Sequence, residues 1–261
     1  TYGYTLLGLA VEGASRRRFF DQVRRGVLRP LGMRRTFPDD PRVAVSDRAT
    51  PYVRLAAGGV GPARPVDNTC KVPGGGMQAS LNDVAAFAAG LQRGRLLGPA
   101  ARTEMIHNQL TAQVVTATLA GQTAAPEWGY GYGFQTGTAR HATAVLHPGG
   151  GVGATTILYW LPAQNLSVVV LSNIQDAGGQ ITALADDIAD LAAAANTPIA
   201  VICGTKQRYA DDGPAALAAA RAAGLGTVLL AGPEREWPAT ESDGQAKPDG
   251  SLRVGIDAVA T

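Results

Sequence analysis

The chain has 261 residues, 46% of them hydrophobic and 17% charged, and its formal net charge is only +2. Such a composition can bury a core, and it is that of neither a disordered chain nor a strongly basic nucleic-acid binder. With two cysteines in no C-x-x-C pair and three histidines in no metal-ligand spacing, neither a disulfide framework nor a metal site is expected.

In chain order, the mostly apolar opening up to Glu12 predicts a helix. Ser15 is the predicted cap of a second helix that stops near Gly26. The arginines at 16–18, 24–25 and 34–35 lie among Phe19, Val23 and Val27, whose i, i+4, i+8 spacing is a buried helical stripe, so the charges belong on a solvated face. Pro30 and Gly32 predict a turn. The first methionine is Met33, so the chain is expected to begin inside a longer reading frame, which leaves its compartment open. Residues 36–73 read as irregular loop with short strands.

After Gly74–Gly76, Ser80 is the predicted N-cap of a helix over 81–93, with Asp83 in its first turn and Gly94 at its end. In Gly129–Phe134 the aromatics alternate with glycine. This predicts a strand with Tyr130, Tyr132 and Phe134 on one face, in the core, and with close backbone approach on the other. Strands are expected at Val145–Gly151, Ala154–Leu161 and Leu166–Ser172, the last two joined by a hairpin at Pro162–Asn165. A helix over 178–195 follows. No apolar run approaches the ~20 residues of a membrane span. Beyond Asn196-Thr197-Pro198 the rhythm becomes β–α–β: strand 199–203, helix 212–223, strand 227–230 and a third strand at 251–256. Residues 1–196 and 197–261 are therefore read as separate modules, with 233–250 the least ordered stretch.

Three stretches carry a family resemblance. The opening Y-G-Y-T-L-L-G-L-A-V-E with the later R-P-L-G-M-R-R-T, the segment P-V-D-N-T-C-K-V-P-G-G-G-M-Q-A-S at Pro65–Ser80, and H-P-G-G-G-V-G-A at His147–Ala154 together resemble the C-terminal part of β-lactamase-related, penicillin-binding-protein-type serine hydrolases. The resemblance implies an α+β fold over 1–196, an antiparallel sheet flanked by helices, followed by a small α/β tail. It implies acyl transfer through a serine in an S-x-x-K motif, with lysine and tyrosine moving protons.

On that match His147 is the basic side chain of the K/H-[ST]-G element, and the Gly150 backbone N–H is an oxyanion donor. Pro148, Gly149 and Gly151 line the substrate. Pro148 stands where the family usually carries a hydroxyl residue, so one hydrogen bond to substrate is missing. No S-x-x-K occurs in 1–196, so no nucleophile is assigned, and this part alone is expected to be inert. The implied partner is a small acyl, peptide or lactam substrate. No nucleic acid, membrane span or cofactor is expected, and oligomeric state is left open. A bacterial, extracytoplasmic protein is what the family pattern implies.

The same residues admit other readings. Gly149-x-Gly151-x-x-Ala154 fits a loosened dinucleotide fingerprint, but β-branched and aromatic residues follow where a helix is required. Gly74–Gly76 before a helix could meet an anion, and a tight turn is preferred there. Asp67, Asn68 and Lys71 stand evenly between loop capping and substrate contact. Without its flanking glycines, His147 would read as an ordinary strand histidine.

The tail, with P-I-A-V-I-C-G-T, R-Y-A-D-D-G-P-A-A-L and the closing D-G-S-L-R-V-G-I-D-A-V-A, is similar to the C-terminal part of methylmalonyl-CoA mutase subunits. Residues 197–261 hold no histidine, so the cobalamin-binding D-x-H-x-x-G is absent and at most a cofactor-free subunit type is implied. Three functions follow: a serine hydrolase of the β-lactamase, D-Ala-D-Ala carboxypeptidase or esterase type completed from outside this sequence, a non-catalytic scaffold of the same fold, or a mutase-related subunit piece.

Overall fold

The computed structural model describes residues 2–46, 48–110, 128–139, 142–195, 199–203, 227–232 and 251–255. Helix α1 (Tyr2–Ser15) is largely apolar, yet Gly8 is its buried position. A Cβ there would stand 1.9 Å from Pro73 Cγ, so glycine is what lets the helix meet the proline ring. Tyr2, Leu6, Leu7 and Leu9 remain 85%, 59%, 58% and 59% exposed.

Ser15 is not the cap of the next helix. It ends α1, its hydroxyl donating to the Val11 carbonyl at 2.7 Å, and the chain turns at Arg16 with φ 54°. The capping acceptor is Glu12, whose Oε1 takes the Phe19 N–H at 2.6 Å. Nor does the helix stop at Gly26. α2 (Phe19–Val23) widens into a π-helical stretch, Arg24–Leu28, and continues as α3 (Arg29–Leu31) to Gly32, which sits in the left-handed region at φ 71°. Widening the helix shifts its inward side, so Leu28 and Leu31 are buried while Phe19, Val23 and Val27 are half-buried. The arginines at 16–18, 24–25 and 34–35 are exposed, as a solvated face requires.

Four short strands follow: β1 (Thr36–Pro38), β2 (Tyr52–Arg54), β3 (Val60–Pro62) and β4 (Met77–Ala79). β1 pairs with β4 and β2 with β3, both antiparallel. Helix α4 (Leu81–Gln92) starts as its sequence predicts, Ser80 Oγ accepting the Asp83 N–H at 3.2 Å. Asp83 is buried, 7% exposed, and its carboxylate accepts from the Arg34 N–H at 3.3 Å, the Arg35 N–H at 2.7 Å and the Thr36 hydroxyl at 2.7 Å. One carboxylate thus ties the end of α3 and β1 to the positive end of α4. α5 (Pro99–Ile106) completes this region.

The main sheet is antiparallel, in the order β5 (Gly129–Tyr130), β6 (Gln135–Ala139), β7 (Ala142–Gly151), β8 (Ala154–Leu161) and β9 (Leu166–Ser172). The predicted hairpin closes at Leu161↔Leu166, with Asn165 at φ 51°. Val145 and Trp160, cross-strand partners, form a core with Leu91 of α4 and Phe134, with Phe87, Met105 and Ile106 packed against it. Leu146, Ile157, Tyr159, Val168 and Val170 are buried as well.

Helix α6 (Gly178–Ala195) matches its predicted span and buries Ile181, Ala185 and Ile188. Thr155 anchors its start: the buried hydroxyl donates to the Ile174 carbonyl at 2.7 Å and accepts the Ala177 N–H at 3.2 Å. Thr155→Val should therefore cost about 1–3 kcal/mol, because a side chain of equal shape leaves one buried and one half-buried backbone group without this partner. Urea denaturation of the variant checks this, and Thr155→Ser should restore most of the loss.

By internal contacts the chain divides into two compact units, 1–186 and 187–261. In the second, β10 (Ile199–Cys203), β11 (Thr227–Gly232) and β12 (Ser251–Gly255) form a parallel sheet in that order. The predicted helix at 212–223 and the stretch 233–250 lie outside the described residues. Among the described residues, no helix is long and apolar enough to cross a membrane.

Candidate functional site

A sheet strand that outlasts its neighbour exposes backbone hydrogen-bonding groups, and β7 does this. β6 pairs with it only as far as Gln135↔Leu146, whereas β8 pairs with it to Gly151↔Ala154. His147–Gly151 therefore have a ladder partner on the β8 side and an open edge on the other.

The direction of each amide follows from the turn. Val152 and Gly153, the latter at φ 77°, form a two-residue connection, which makes Gly151 and Ala154 the closing hydrogen-bonded pair. Counting back by twos, Gly149 and His147 also bond to β8, while Pro148 and Gly150 turn their backbones to the open edge. Proline has no N–H, and at 148 its absence breaks no ladder bond. Gly150 directs its N–H outward.

The His147 side chain meets Tyr130, whose hydroxyl lies 3.1 Å from Nε2, and the two rings stand edge to face at 77° with centroids 6.2 Å apart. Tyr130 is held firmly. Its N–H donates to Asn108 Oδ1 at 3.1 Å, its carbonyl accepts from the Gln109 N–H at 2.9 Å, and it pairs with Gln135 in the sheet. The flanking glycines make this possible. A Cβ on Gly129 would stand 2.2 Å from Asn108 Cγ, and one on Gly131 2.2 Å from the Met105 carbonyl oxygen.

Electrostatics keep the pair neutral at physiological pH. Burial, followed by hydrogen bonding and charge interaction with Tyr4 of α1, pushes the Tyr130 phenol up to about 12. His147 is reachable by solvent, but the surrounding protein still depresses its pKa by desolvation. A hydrogen bond to the Pro148 backbone works the other way. A proline backbone offers only its carbonyl, so the imidazole must be the donor.

Of the residues singled out by sequence, His147, Pro148, Gly149, Gly150 and Gly151 share this one edge. Asp67 and Asn68 are engaged in loop bonds. Asp67 Oδ1 accepts from the Thr69 N–H and hydroxyl at 2.9 and 2.6 Å, and Asn68 Nδ2 donates to Asp39 at 2.7 Å. Lys71 is exposed. Gly76, at φ 68°, backs onto the Asn68 carbonyl in a tight turn.

Sequence reasoning placed Tyr130, Tyr132 and Phe134 together in the core. The structure separates them, because Gly133 at φ 85° breaks the strand. Phe134 is buried, Tyr132 is 60% exposed, and Tyr130 belongs to the His147 cluster. The close approach foreseen for the glycines is real, and it was the available signal for Tyr130.

A family model described as Beta-lactamase matches residues 1–193. Among solved structures, a penicillin-binding protein from Bacillus halodurans is similar at a TM-score of 0.56 and 22% identity, over 73% of this chain and 53% of that one. A D-amino acid amidase from Ochrobactrum anthropi, complexed with L-phenylalanine, gives 0.58 and 17%, over 75% and 58%. The octameric penicillin-binding protein homologue from Pyrococcus abyssi gives 0.57 and 23%, over 66% and 37%. These likenesses are likenesses of fold, and the chain spans between about a third and three fifths of those proteins. Probable methylmalonyl-CoA mutase small subunits of Mycobacterium bovis and Mycobacterium tuberculosis are 36% identical over 106 residues, 38% of this chain and 16% of theirs.

Proposed function

The chain belongs to the Beta-lactamase family, and from that membership we propose that it supplies the sheet edge of an acyl-serine hydrolase whose serine, lysine and tyrosine base come from outside these residues. The carrying observation is the open half of β7, where a histidine side chain and an outward amide N–H lie on one strand. The Gly150 N–H would help hold the oxyanion of a tetrahedral intermediate, and such a donor contributes roughly 10²–10³ in rate. An extended acyl or peptide substrate could pair with the same edge as an added strand, which suits amides, small peptides or lactams. The unpartnered apolar face of α1 supports completion from outside, since such patches ordinarily meet another surface.

The test compares the chain alone with the chain joined to, or mixed with, a segment bearing S-x-x-K and the Y-x-[NST] tyrosine. Both are treated with a fluorophosphonate, a chromogenic cephalosporin and D-aminoacyl p-nitroanilides, and adducts are mapped by mass spectrometry. The chain alone should give none, and the completed protein one labelled serine. Stoichiometric labelling of the chain alone, or none in a folded completed protein, sinks the proposal. A scaffold of the same fold is the second reading, favoured by Pro148, which offers neither a hydroxyl nor an N–H to a ligand at the open edge. It predicts binding of such ligands to the completed protein without turnover.

A further inference from the structure

Several features are fully engaged in holding the fold and offer nothing to a ligand: the Asp83 clamp, the Asp39–Asp40–Arg42 loop cluster and the Gly74–Gly76 turn. One arrangement does more than hold the fold. Tyr130 is fixed through its backbone on two sides, and two glycines make room for that fixation, yet its hydroxyl points to a histidine at the open edge.

We propose that Tyr130 is a positioning residue for His147: its hydroxyl holds Nε2, commits the single ring proton to Nδ1, and so presents one neutral tautomer of the imidazole at the β7 edge. The catalytic consequence rests on the hydrolase reading above, whereas the geometry does not. The edge-on meeting of the rings suits this, because a stacked pair would turn Nε2 away from the phenolic oxygen. The Pro148 backbone can only accept, so an imidazole that bonds to it does so through a protonated nitrogen. Tyr4 of α1 hydrogen-bonds the same phenol, so the Tyr130 hydroxyl stands between that helix and the β7 edge.

A tyrosine that merely padded the sheet could be replaced by phenylalanine with no effect on the imidazole. The test is therefore a long-range ¹H–¹⁵N correlation spectrum of the histidines in this chain, with His147 assigned through His147→Gln. Wild type should show Nδ1 protonated and Nε2 bare, with a titration midpoint below that of an ordinary histidine. In Tyr130→Phe the tautomers should mix and the midpoint rise by roughly half to one pH unit, the size of one lost hydrogen bond to the neutral ring. An unchanged tautomer and midpoint in that variant would overturn the proposal. Should the phenylalanine variant misfold, 3-fluorotyrosine at position 130 keeps the packing and strengthens the donor. The midpoint should then fall, and a static midpoint overturns the proposal equally.

In the completed hydrolase, Tyr130→Phe should shift the acid limb of kcat/KM upward by the same amount. A completed protein that hydrolyses nothing sinks the hydrolase reading and leaves the imidazole result standing. An active enzyme with an unmoved imidazole sinks the positioning role alone.

Discussion

His147→Ala in the completed enzyme is expected to lower kcat/KM by about two orders of magnitude or more, the usual worth of a positioned acid–base group. The variant should fold normally, because the side chain is exposed. The dependence on pH has a definite sign. Desolvation lowers the pKa of His147, so the neutral imidazole is present at and above neutrality and is lost as pH falls through that depressed value. Wild-type activity that depends on the neutral ring should hold down to a pH below the ordinary histidine range and then decline. Steady-state kinetics on a D-aminoacyl p-nitroanilide or a chromogenic cephalosporin, with circular dichroism to establish folding, reads both effects. An unchanged kcat/KM in a folded variant would make His147 an ordinary strand histidine.

Asp83→Ala carries the largest expected effect on stability. The carboxylate satisfies two backbone N–H groups and one hydroxyl, and it sits in the first turn of α4. Hydrogen bonds to a charged acceptor are worth about 1.5–3 kcal/mol each when isolated. Water can replace part of this once the side chain is gone, so a total loss of about 3 kcal/mol is expected, in the range tied to broken buried networks. For a unit of this size that is a fall of roughly 6–12 °C in Tm. Asp83→Asn keeps the shape and one strong acceptor and should lose about half as much. Differential scanning calorimetry decides, and a loss under about 1 kcal/mol for the alanine variant would mean that solvent substitutes for the carboxylate.

Where short-range rules act alone, structure was legible in sequence. The hairpin at Pro162–Asn165, the strands on either side of it and helix 178–195 need only periodicity and turn chemistry, and each lies at its predicted bounds. The Ser80 cap was equally readable, since a cap and the amide it serves are three residues apart. The entry to α2 was misread because two capping groups compete there. Ser15 has the preferred side chain, but Glu12 reaches seven residues ahead and takes the Phe19 amide. Gly26 failed as a stop because a π-helical turn absorbs it, and no local signal announces that turn.

At the site, His147 and the glycines after it were found through their pattern, whereas the partnership of Tyr130 was hidden. It depends on Gly133 interrupting an otherwise regular alternation, and on a contact between two strands that are not neighbours in the sheet. Tyr4 was out of reach for the same reason, since more than a hundred residues of chain separate it from Tyr130.

Position 148 has a further property. Its backbone nitrogen faces the open edge, so no bond of the sheet depends on whether that nitrogen carries a hydrogen. Proline, serine or threonine can occupy it with the same ladder intact. Folding therefore imposes little selection there, and the residue can drift with whatever molecule lies against the strand. A lineage could change its preferred ligand at this codon without first acquiring a compensating substitution elsewhere.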